Sequence, residues 1–223
     1  VGPDGSEHEE EQVLPPQIDE LRAAVQSALD SNMELLEHLR DTAVFKLTVR
    51  KLEESKLQHR ATRSAELVKT YTRRAVAGGL AAISPGTDIL IQGYLGTQMV
   101  KALCELYEVP VKEIELNKLL DLSQKQVRTA LPLLLAIAGN AAKAFPGVGT
   151  MAGGLMHAVA YGLIFDALGR AIVQTLETRG ELRPAPASLT FRDNLVDGVE
   201  SRAGRLLRLA LDIRKEEGDN DKK

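Results

Sequence analysis

The stretch "AKAFPGVGTMAGGLMHAVAYGLIFDALGR", Ala142 to Arg170, is rich in glycine and has no acidic residue before Asp166. Within it, Gly147 to Ala152 spell G-x-G-x-x-A, and the acidic residue about 20 positions further on completes the pattern of a dinucleotide-binding loop. Such a loop follows a buried strand, whereas alanine, leucine and Pro146 precede this one. We therefore interpret the stretch as a Pro-Gly hinge that leads into an apolar helix.

The glycines of this stretch follow the four-residue spacing of helix faces. Gly149 and Gly153 form one such pair, and Gly154 shares its spacing with Ala158 and Gly162. A helix face made of small residues lets a second backbone come close. The predicted hinge and close-packing residues are Pro146, Gly147, Gly149, Gly153 and Gly162.

A second Pro-Gly break lies in "AISPGTDILIQGYLGTQMV", the centre of Ala75 to Val100, a run whose only charged residue is Asp88. Because proline removes a backbone donor and disfavours helical geometry in the residue before it, one helix should end near Ile83 and the next should begin near Thr87. Asp88 then lies in a first helical turn, where a carboxylate meets the positive helix end. The predicted hinge residues of this segment are Pro85, Gly86 and Asp88.

Near the N-terminus, apolar residues recur every three or four positions from Gln17 to about Arg40 and form a narrow stripe on one helix face. A stripe of this width suits a single partner helix better than a globular core. We predict that the chain self-associates through this helix, or that the helix pairs with another helix of the same chain. The predicted interface consists of Ile18, Leu21, Val25, Leu29, Met33, Leu36 and Leu39.

Charge is distributed unevenly along the chain. The formal net charge of -3 gives no general case for nucleic-acid binding, so no nucleic-acid partner is expected. The segment from Ala43 to Arg74, however, carries nine cations and three carboxylates, which either attract anionic lipid or form a solvated helix face. Near the C-terminus, Arg202, Arg205 and Arg208 give the last helix a basic side that we interpret as solvated.

The reactive residue types form no catalytic or metal-binding pattern. The four histidines are scattered, and the single cysteine, Cys104, lacks the histidine and the electropositive setting of a catalytic thiol. Cys104 is therefore predicted to be a packed small residue. The chain also contains no G-x-x-x-x-G-K-[ST] loop for a nucleoside triphosphate. We expect a protein that is not an enzyme and that needs no cofactor.

The order of the segments predicts an all-α fold, a helical bundle with two Pro-Gly-hinged apolar helical hairpins and a long N-terminal amphipathic helix. Residues 111–120 are expected to link two helices, the second capped by Asp121 or Ser123, and residues 180–188 are expected to form a loop. The predicted organisation is an acidic disordered linker (1–16), an amphipathic and basic helical region (17–74), an apolar hairpin domain (75–179), a C-terminal amphipathic helix (180–216) and a disordered tail (217–223).

The apolar segments are marginal in length for a membrane span. If the helix begins after the Pro-Gly turn, Thr150 to Phe165 reaches about 24 Å, against roughly 30 Å of hydrocarbon. The chain returns to polar residues at Asp166 and Arg170, whose four-residue spacing predicts an ion pair. Length alone leaves open whether these segments span a bilayer, dip into it or form the core of a soluble bundle.

Two blocks of the sequence resemble a bacterial protein family. "AVAGGLAAISPGTDILIQGYLGTQMVKALCELYEVPV" contains S-P-x-x-D between an alanine-rich and an apolar helix, followed by L-x-x-L-Y, and "FPGVGTMAGGLMHAVAYGLIFDALGRAI" contains a P-G-x-G turn before an apolar helix. Both are similar to the helical domain of unknown function that bacteria attach to, or encode beside, Ras-like GTPases, as in the YcjF-type inner-membrane proteins. The likeness covers about Arg74 to Leu176, and Glu108 stands where the family commonly has glycine.

The resemblance implies a membrane-associated accessory module that acts with a GTPase domain, in cis or in trans. Such a module would lie on the cytoplasmic face of the bacterial inner membrane, or in the cytoplasm, and the resemblance supplies no catalytic residues. An anionic membrane and a second copy of the chain are the other expected partners. Two alternatives stay open: a soluble helical scaffold for oligomerisation or partner docking, and a toxin-like bundle that conceals a membrane-inserting hairpin.

Overall fold

The computed structural model describes residues 17–81, 87–143 and 152–220, and the side chains of 87–92, 152–153 and 217–220 lie outside that description. The described residues form helices and no strand, which confirms the predicted all-α fold. A helix therefore precedes the glycine-rich stretch, where a dinucleotide-binding loop would need a strand. The helices are α1 (Asp19–Ser31), α2 (Met33–Ala81), α3 (Thr87–Leu106), α4 (Glu113–Lys143), α5 (Ala152–Arg179), α6 (Pro184–Val196) and α7 (Val199–Asn220).

The chain divides into two compact units, and the boundary falls inside α2. Unit 1 comprises Val1–Lys56, and unit 2 comprises Leu57–Lys223. The surroundings of α2 differ in the two units, because none of its residues before Ser64 is buried. From that point a buried face begins, which consists of Ser64, Val68, Tyr71, Thr72, Ala75, Val76 and Gly79.

The described part of unit 1 consists of α1 and the first part of α2, separated by Asn32. The side-chain amide of Asn32 donates a hydrogen bond to the carbonyl oxygen of Ala28 at 2.8 Å, and such local bonds compete with the helical backbone bonds of the same turn. The helix predicted from Gln17 to Arg40 is thus interrupted once. It then continues through Asp41 and Thr42, which do not break it.

Helix α5 forms the centre of unit 2. Its side chains are buried over most of its length, among them Leu155, Phe165 and Ile172. It packs against α3, α4, α6 and α7. Before Asp166 this helix carries no charged residue, and a helix so apolar is stable in water only when other helices cover it. The apolar part of the glycine-rich stretch is therefore in the core of the bundle.

Glycines set the distance between α2 and α5. A Cβ atom added at Gly79 would lie 2.7 Å from the Cα of Ala158, and one added at Gly162 would lie 2.8 Å from Cγ2 of Val76. Carbon atoms in contact are normally about 3.5–4.0 Å apart, so neither position has room for a side chain. Gly162 lies at a close contact, but its neighbours are the side chains of Val76 and Leu206 and not the backbone that its spacing predicts. The same prediction is wrong for Gly154, where an added Cβ would meet no atom within 4 Å.

The contacts of α5 define which helix ends of unit 2 lie together. Gly79, near the end of α2, and Gly139, near the end of α4, pack against the first two turns of α5. At the opposite end of α5, Glu177 accepts a hydrogen bond from the hydroxyl of Tyr107, which directly follows α3. The end of α2, the start of α3, the end of α4 and the start of α5 consequently lie at one end of unit 2.

Helix α3 ends in a Schellman motif, a backbone arrangement whose residue after the helix has a positive φ. The amide of Val109 donates to the carbonyl of Cys104 at 2.8 Å, and the amide of Glu108 donates to the carbonyl of Glu105 at 3.0 Å. Glu108 has a φ of +60°, in the left-handed region that favours glycine. The position where the resembled family commonly has glycine therefore keeps the backbone that glycine favours, while the Glu108 carboxylate pairs with Arg60 at 3.1 Å.

Two predicted boundaries are wrong. Helix α4 begins at Glu113, inside the segment expected to be a link, because carboxylates in its first turn meet the positive helix end. Asp121 and Ser123 are thus interior residues of α4 and do not cap it. Residues 184–188, expected to be a loop, form the start of α6, because Pro184 occupies a first helical position where no backbone donor is needed. Two helices, α6 and α7, replace the single predicted C-terminal helix.

We expect Gly79→Ala to lower the free energy of unfolding by about 1–3 kcal/mol, because the new methyl group would overlap the backbone of α5. Gly154→Ala is the matched control, since its methyl group meets no neighbouring atom. Urea denaturation followed by circular dichroism measures both variants. Equal stability of the two variants would contradict the close approach of α2 to α5.

We expect Glu108→Gly to be more stable than Glu108→Gln by about 1 kcal/mol, because glycine removes the cost of a side chain at positive φ. Both variants lose the ion pair with Arg60, so their difference isolates the backbone effect. Thermal and urea denaturation of the two proteins measure it. Greater stability of the glutamine variant would show that the left-handed conformation carries no strain here.

Candidate functional site

The predicted interface residues lie on the surface of unit 1. Their exposed fractions range from 39 to 66%, and the exposed apolar surface extends along α2 beyond the predicted stripe. The predicted stripe ends at Leu39, just before Asp41 and Thr42, where the sequence suggests a break or an interruption of the helix. The further exposed apolar side chains are Leu35, Val44, Phe45, Leu47, Val49 and Leu52, and three of them, Phe45, Val49 and Leu52, lie on the side of α2 opposite Leu36.

Most of the predicted hinge residues lie outside the described residues. These are Pro85, Gly86, Pro146, Gly147 and Gly149. Asp88 and Gly153 belong to the first turns of α3 and α5, but their surroundings are outside the description as well. The structure does describe the helix ends that flank both Pro-Gly segments, which are Ala81, Thr87, Lys143 and Ala152. These four ends lie at the same end of unit 2.

One segment of α5, Gly154–Arg179, is long and apolar enough to cross a membrane. Within this segment, 72% of the most apolar window is buried by the rest of the protein. Burial of this extent is typical of the core helix of a bundle, so α5 in this conformation offers little surface to lipid.

A groove of about 790 Å³ lies in unit 2 between α2, α5 and α7. Most of its surface is apolar, and apolar side chains such as Ala65 and Val68 of α2 and Leu206 of α7 contribute to it. The polar and charged residues of its lining are Ser64, Lys69, Thr72, Asp166, Arg170, Gln174, Glu177, Arg202 and Arg205. The electrostatics of the groove therefore depend on how these charges pair with one another.

Asp166 pairs with two arginines in this groove. Its Oδ2 lies 2.9 Å from Nε of Arg202 and 3.4 Å from Nε of Arg170. Neither nitrogen has the alignment of a hydrogen bond in these contacts, so both are ion pairs. The sequence spacing predicts the ion pair with Arg170. It does not predict the ion pair with Arg202, because Arg202 belongs to another helix, α7.

Arg202 connects α7 with α6 and α5 through hydrogen bonds. Its guanidinium donates hydrogen bonds to the carbonyl oxygens of Asn194 at 2.5 Å and Asp197 at 2.8 Å, at the end of α6, and of Leu163 in α5 at 3.3 Å. The residue is only 5% exposed. Burial lowers the pKa of Arg202 from its usual value, and the negative charge of Asp166 opposes this shift. A charge this deeply buried is tolerated because it is paired and hydrogen-bonded.

The prediction that Arg202 lies on a solvated basic side of the last helix is wrong. Arg205 and Arg208 are exposed, as predicted. Arg202, however, is spaced four residues from Leu206 and eight from Ala210, which are both buried. It therefore belongs to the buried face of α7, and this shared spacing is the sequence signal that could have identified it.

A second polar cluster joins the end of α3 to α2 and α5. Arg60 donates a hydrogen bond to the carbonyl oxygen of Tyr107 at 3.1 Å, and its guanidinium lies 5.4 Å from the centre of the tyrosine ring. The hydroxyl of Tyr107 donates to Glu177 at 2.8 Å. Burial raises the pKa of Tyr107 to about 12, and Glu177 acts in the same direction, while contacts with Ser64 and Arg60 oppose it. The phenol thus stays protonated at neutral pH and serves as a hydrogen-bond donor.

The described residues supply binding surfaces but no nucleophile with an adjacent base. Among them, no group of three or more His, Cys, Asp or Glu side chains could hold a metal ion. Cys104 is buried, and burial raises the pKa of its thiol to about 11, so the reactive thiolate is not formed at neutral pH. The Asp166 carboxylate in the groove is paired with Arg170 and Arg202.

The described residues define an all-α protein, with a helical bundle in unit 2 and helices with exposed apolar side chains in unit 1. A comparison of the chain with protein-family models, with curated proteins and with solved structures finds no match. The likeness to the GTPase-associated helical domains therefore stays a prediction, and the function has to be argued from the geometry.

We expect Arg202→Met to lower the free energy of unfolding of unit 2 by about 2–4 kcal/mol, because three buried carbonyl groups and Asp166 lose their partner. Arg205→Met is the matched control, since Arg205 lies one turn away on the exposed side of α7 and its loss should change stability by less than about 0.5 kcal/mol. Guanidinium denaturation of both variants gives the comparison. If Arg202→Met were as stable as the control, Arg202 would not connect the helices energetically.

Proposed function

We propose that the chain is a non-catalytic helical module that associates with a membrane surface through its two Pro-Gly segments. The observation that supports this function is the arrangement of helix ends in unit 2. Both segments, 82–86 and 144–151, are bounded by helix ends that lie at the same end of the bundle. Two apolar segments joined to one end of a bundle are able to contact one flat surface together.

The sequence of the two segments suits the interface of a bilayer. Neither segment contains a charged residue, and their large apolar side chains are Ile83, Phe145, Val148 and Met151. Burying one large apolar side chain contributes about 1.5–3 kcal/mol. A few such side chains therefore support peripheral binding, and the proposal does not require α5 to leave the core.

Cations favour an anionic bilayer as the target. Lys143, the last residue of α4, is exposed at the same end of unit 2 as the Pro-Gly segments. Each cation close to a charged membrane adds about 1 kcal/mol to the attraction. The basic stretch from Ala43 to Arg74 adds a longer-range attraction that salt screens. Binding should accordingly weaken at high ionic strength.

We propose that the partner of this module is a GTPase domain, in the same polypeptide or in a separate protein, at the cytoplasmic face of the bacterial inner membrane. The sequence resemblance carries this part of the proposal. It is supported by Glu108, since the chain adopts the left-handed conformation at the position where the family commonly has glycine. Finding a GTPase reading frame fused to this one, or beside it, would be the direct check.

The burial of α5 favours a second candidate function, that of a bundle that conceals a membrane-inserting hairpin. The α5 segment Gly154–Arg179 has the length and composition of a span, and α4 packs directly against α5. Insertion would expose these helices to lipid at the cost of their packing in unit 2. The two candidates differ measurably, because insertion makes vesicles leak whereas surface association leaves them intact.

We expect the protein to float with vesicles of phosphatidylglycerol and phosphatidylcholine at low salt. Phe145→Glu combined with Val148→Glu should reduce the floating fraction about tenfold or more, because charged groups replace the inserted apolar groups. Leu189→Glu combined with Val196→Glu is the matched control, since both residues are exposed apolar residues of α6. The control should float like the unaltered protein.

Three outcomes would contradict the proposal. If the unaltered protein stays at the bottom of the gradient, the membrane function is lost. If both double variants lose flotation equally, the Pro-Gly segment is not the contact. If the vesicles release an enclosed dye when the protein binds, the concealed-hairpin function replaces surface association.

A further inference from the structure

The groove between α2, α5 and α7 has the size of a small-molecule site. Its volume of about 790 Å³ falls within the range of about 300–1,000 Å³ that is usual for ligand pockets. A three-turn helix with a diameter of about 10 Å and a length of about 16 Å fills roughly 1,300 Å³. The groove therefore suits a ligand that is narrower than a helix.

The apolar part of the groove is open to solvent. Val68 of α2, Val173 of α5 and Leu209 of α7 contribute to its surface. Ala61 and Ala65 of α2 also line the groove, and both residues are exposed, so the rest of unit 2 does not cover this wall. A hydrocarbon chain that lay on the wall would remove apolar surface from water, which favours binding.

Cations outnumber carboxylates in the lining of the groove. The cations are Lys69, Arg170, Arg202 and Arg205, and the carboxylates are Asp166 and Glu177. The whole chain has a formal net charge of -3, so this excess of positive charge is a local property of the groove. An anionic ligand is therefore attracted to it.

Both carboxylates of the lining already have partners. Asp166 forms ion pairs with Arg170 and with Arg202, and Glu177 accepts the hydrogen bond of the Tyr107 hydroxyl. Burial lowers the pKa of Arg202, and although Asp166 opposes this shift, the charge of Arg170 acts in the same direction as burial. One carboxylate thus serves two guanidinium groups, and positive charge remains in excess beside it.

The other two cations of the lining are accessible to a ligand. Lys69 and Arg205 are both exposed, and neither forms an ion pair with any residue that the structure describes. Arg205 donates a hydrogen bond to the hydroxyl oxygen of Ser201 at 3.1 Å, which leaves its charge without a carboxylate. Charge-assisted bonds from lysine and arginine to a carboxylate are stronger than bonds between neutral groups.

We propose that this groove binds a fatty acid, whose hydrocarbon chain lies on the apolar wall and whose carboxylate is attracted to Lys69 and Arg205. A fatty acid combines the narrow apolar body and the single anionic group that the groove can accommodate. This binding goes beyond the proposed membrane function and does not depend on it, because no residue of the lining belongs to the Pro-Gly segments.

Isothermal titration calorimetry of the full chain with sodium laurate, below the concentration at which laurate forms micelles and without vesicles, tests the proposal. We expect saturable binding of one laurate per chain. Dodecyltrimethylammonium has the same chain length with the opposite charge, and acetate is the anion without the chain, so both should bind at least about tenfold more weakly. Circular dichroism checks that the protein stays helical during the titration.

Charge reversal in the groove tests the site of the carboxylate. Lys69→Glu combined with Arg205→Glu should weaken laurate binding about tenfold or more, because two exposed cations of the lining become anions. Lys118→Glu combined with Arg208→Glu is the matched control, since both residues are exposed in unit 2, lie outside the lining and give the same change in net charge. The control should bind laurate like the unaltered protein.

A second variant tests the apolar wall independently of charge. Ala65→Phe places a large side chain at an exposed position of the groove and should weaken laurate binding about tenfold or more, because the ring occupies the space of the hydrocarbon chain. Ala185→Phe is the matched control, since Ala185 is exposed in α6 and lies outside the lining.

Four outcomes would overturn the proposal. Laurate could show no saturable binding, or dodecyltrimethylammonium could bind as strongly as laurate. The groove variants could bind laurate with the same affinity as their controls, which would place the ligand elsewhere. Light scattering could show that the unaltered chain is a dimer and Ala65→Phe a monomer, which would make the groove an interface between copies. All these measurements are made without vesicles, so this proposal and the membrane function fail separately.

Discussion

The approach of α2 to the backbone of α5 is the contact on which the bundle depends. At Gly79 an added Cβ would lie 2.7 Å from the Cα of Ala158, and Gly162 and Gly169 meet α2 at similarly short distances. These contacts proceed along the two helices in opposite directions, so α2 and α5 run antiparallel. The same contacts bring the end of α2 to the start of α5, and thus bring both Pro-Gly segments to one end of unit 2. Packing of small residues in the core therefore determines where the proposed membrane contact lies.

The features that the sequence predicts correctly depend on neighbours close in the chain. The Pro-Gly breaks separate helices because proline and glycine act on their own backbone. The pair between Asp166 and Arg170 follows from one turn of helix. Each of these inferences needs only a window of a few residues.

The features that were missed depend on contacts between distant segments. Arg202 is buried because carbonyl groups at the end of α6 and in α5 accept its hydrogen bonds, and no local pattern shows where those carbonyls lie. The close approach at Gly79 is decided by the facing Ala158 in α5. Sequence periodicity identifies a helix face, but it does not identify what the face meets.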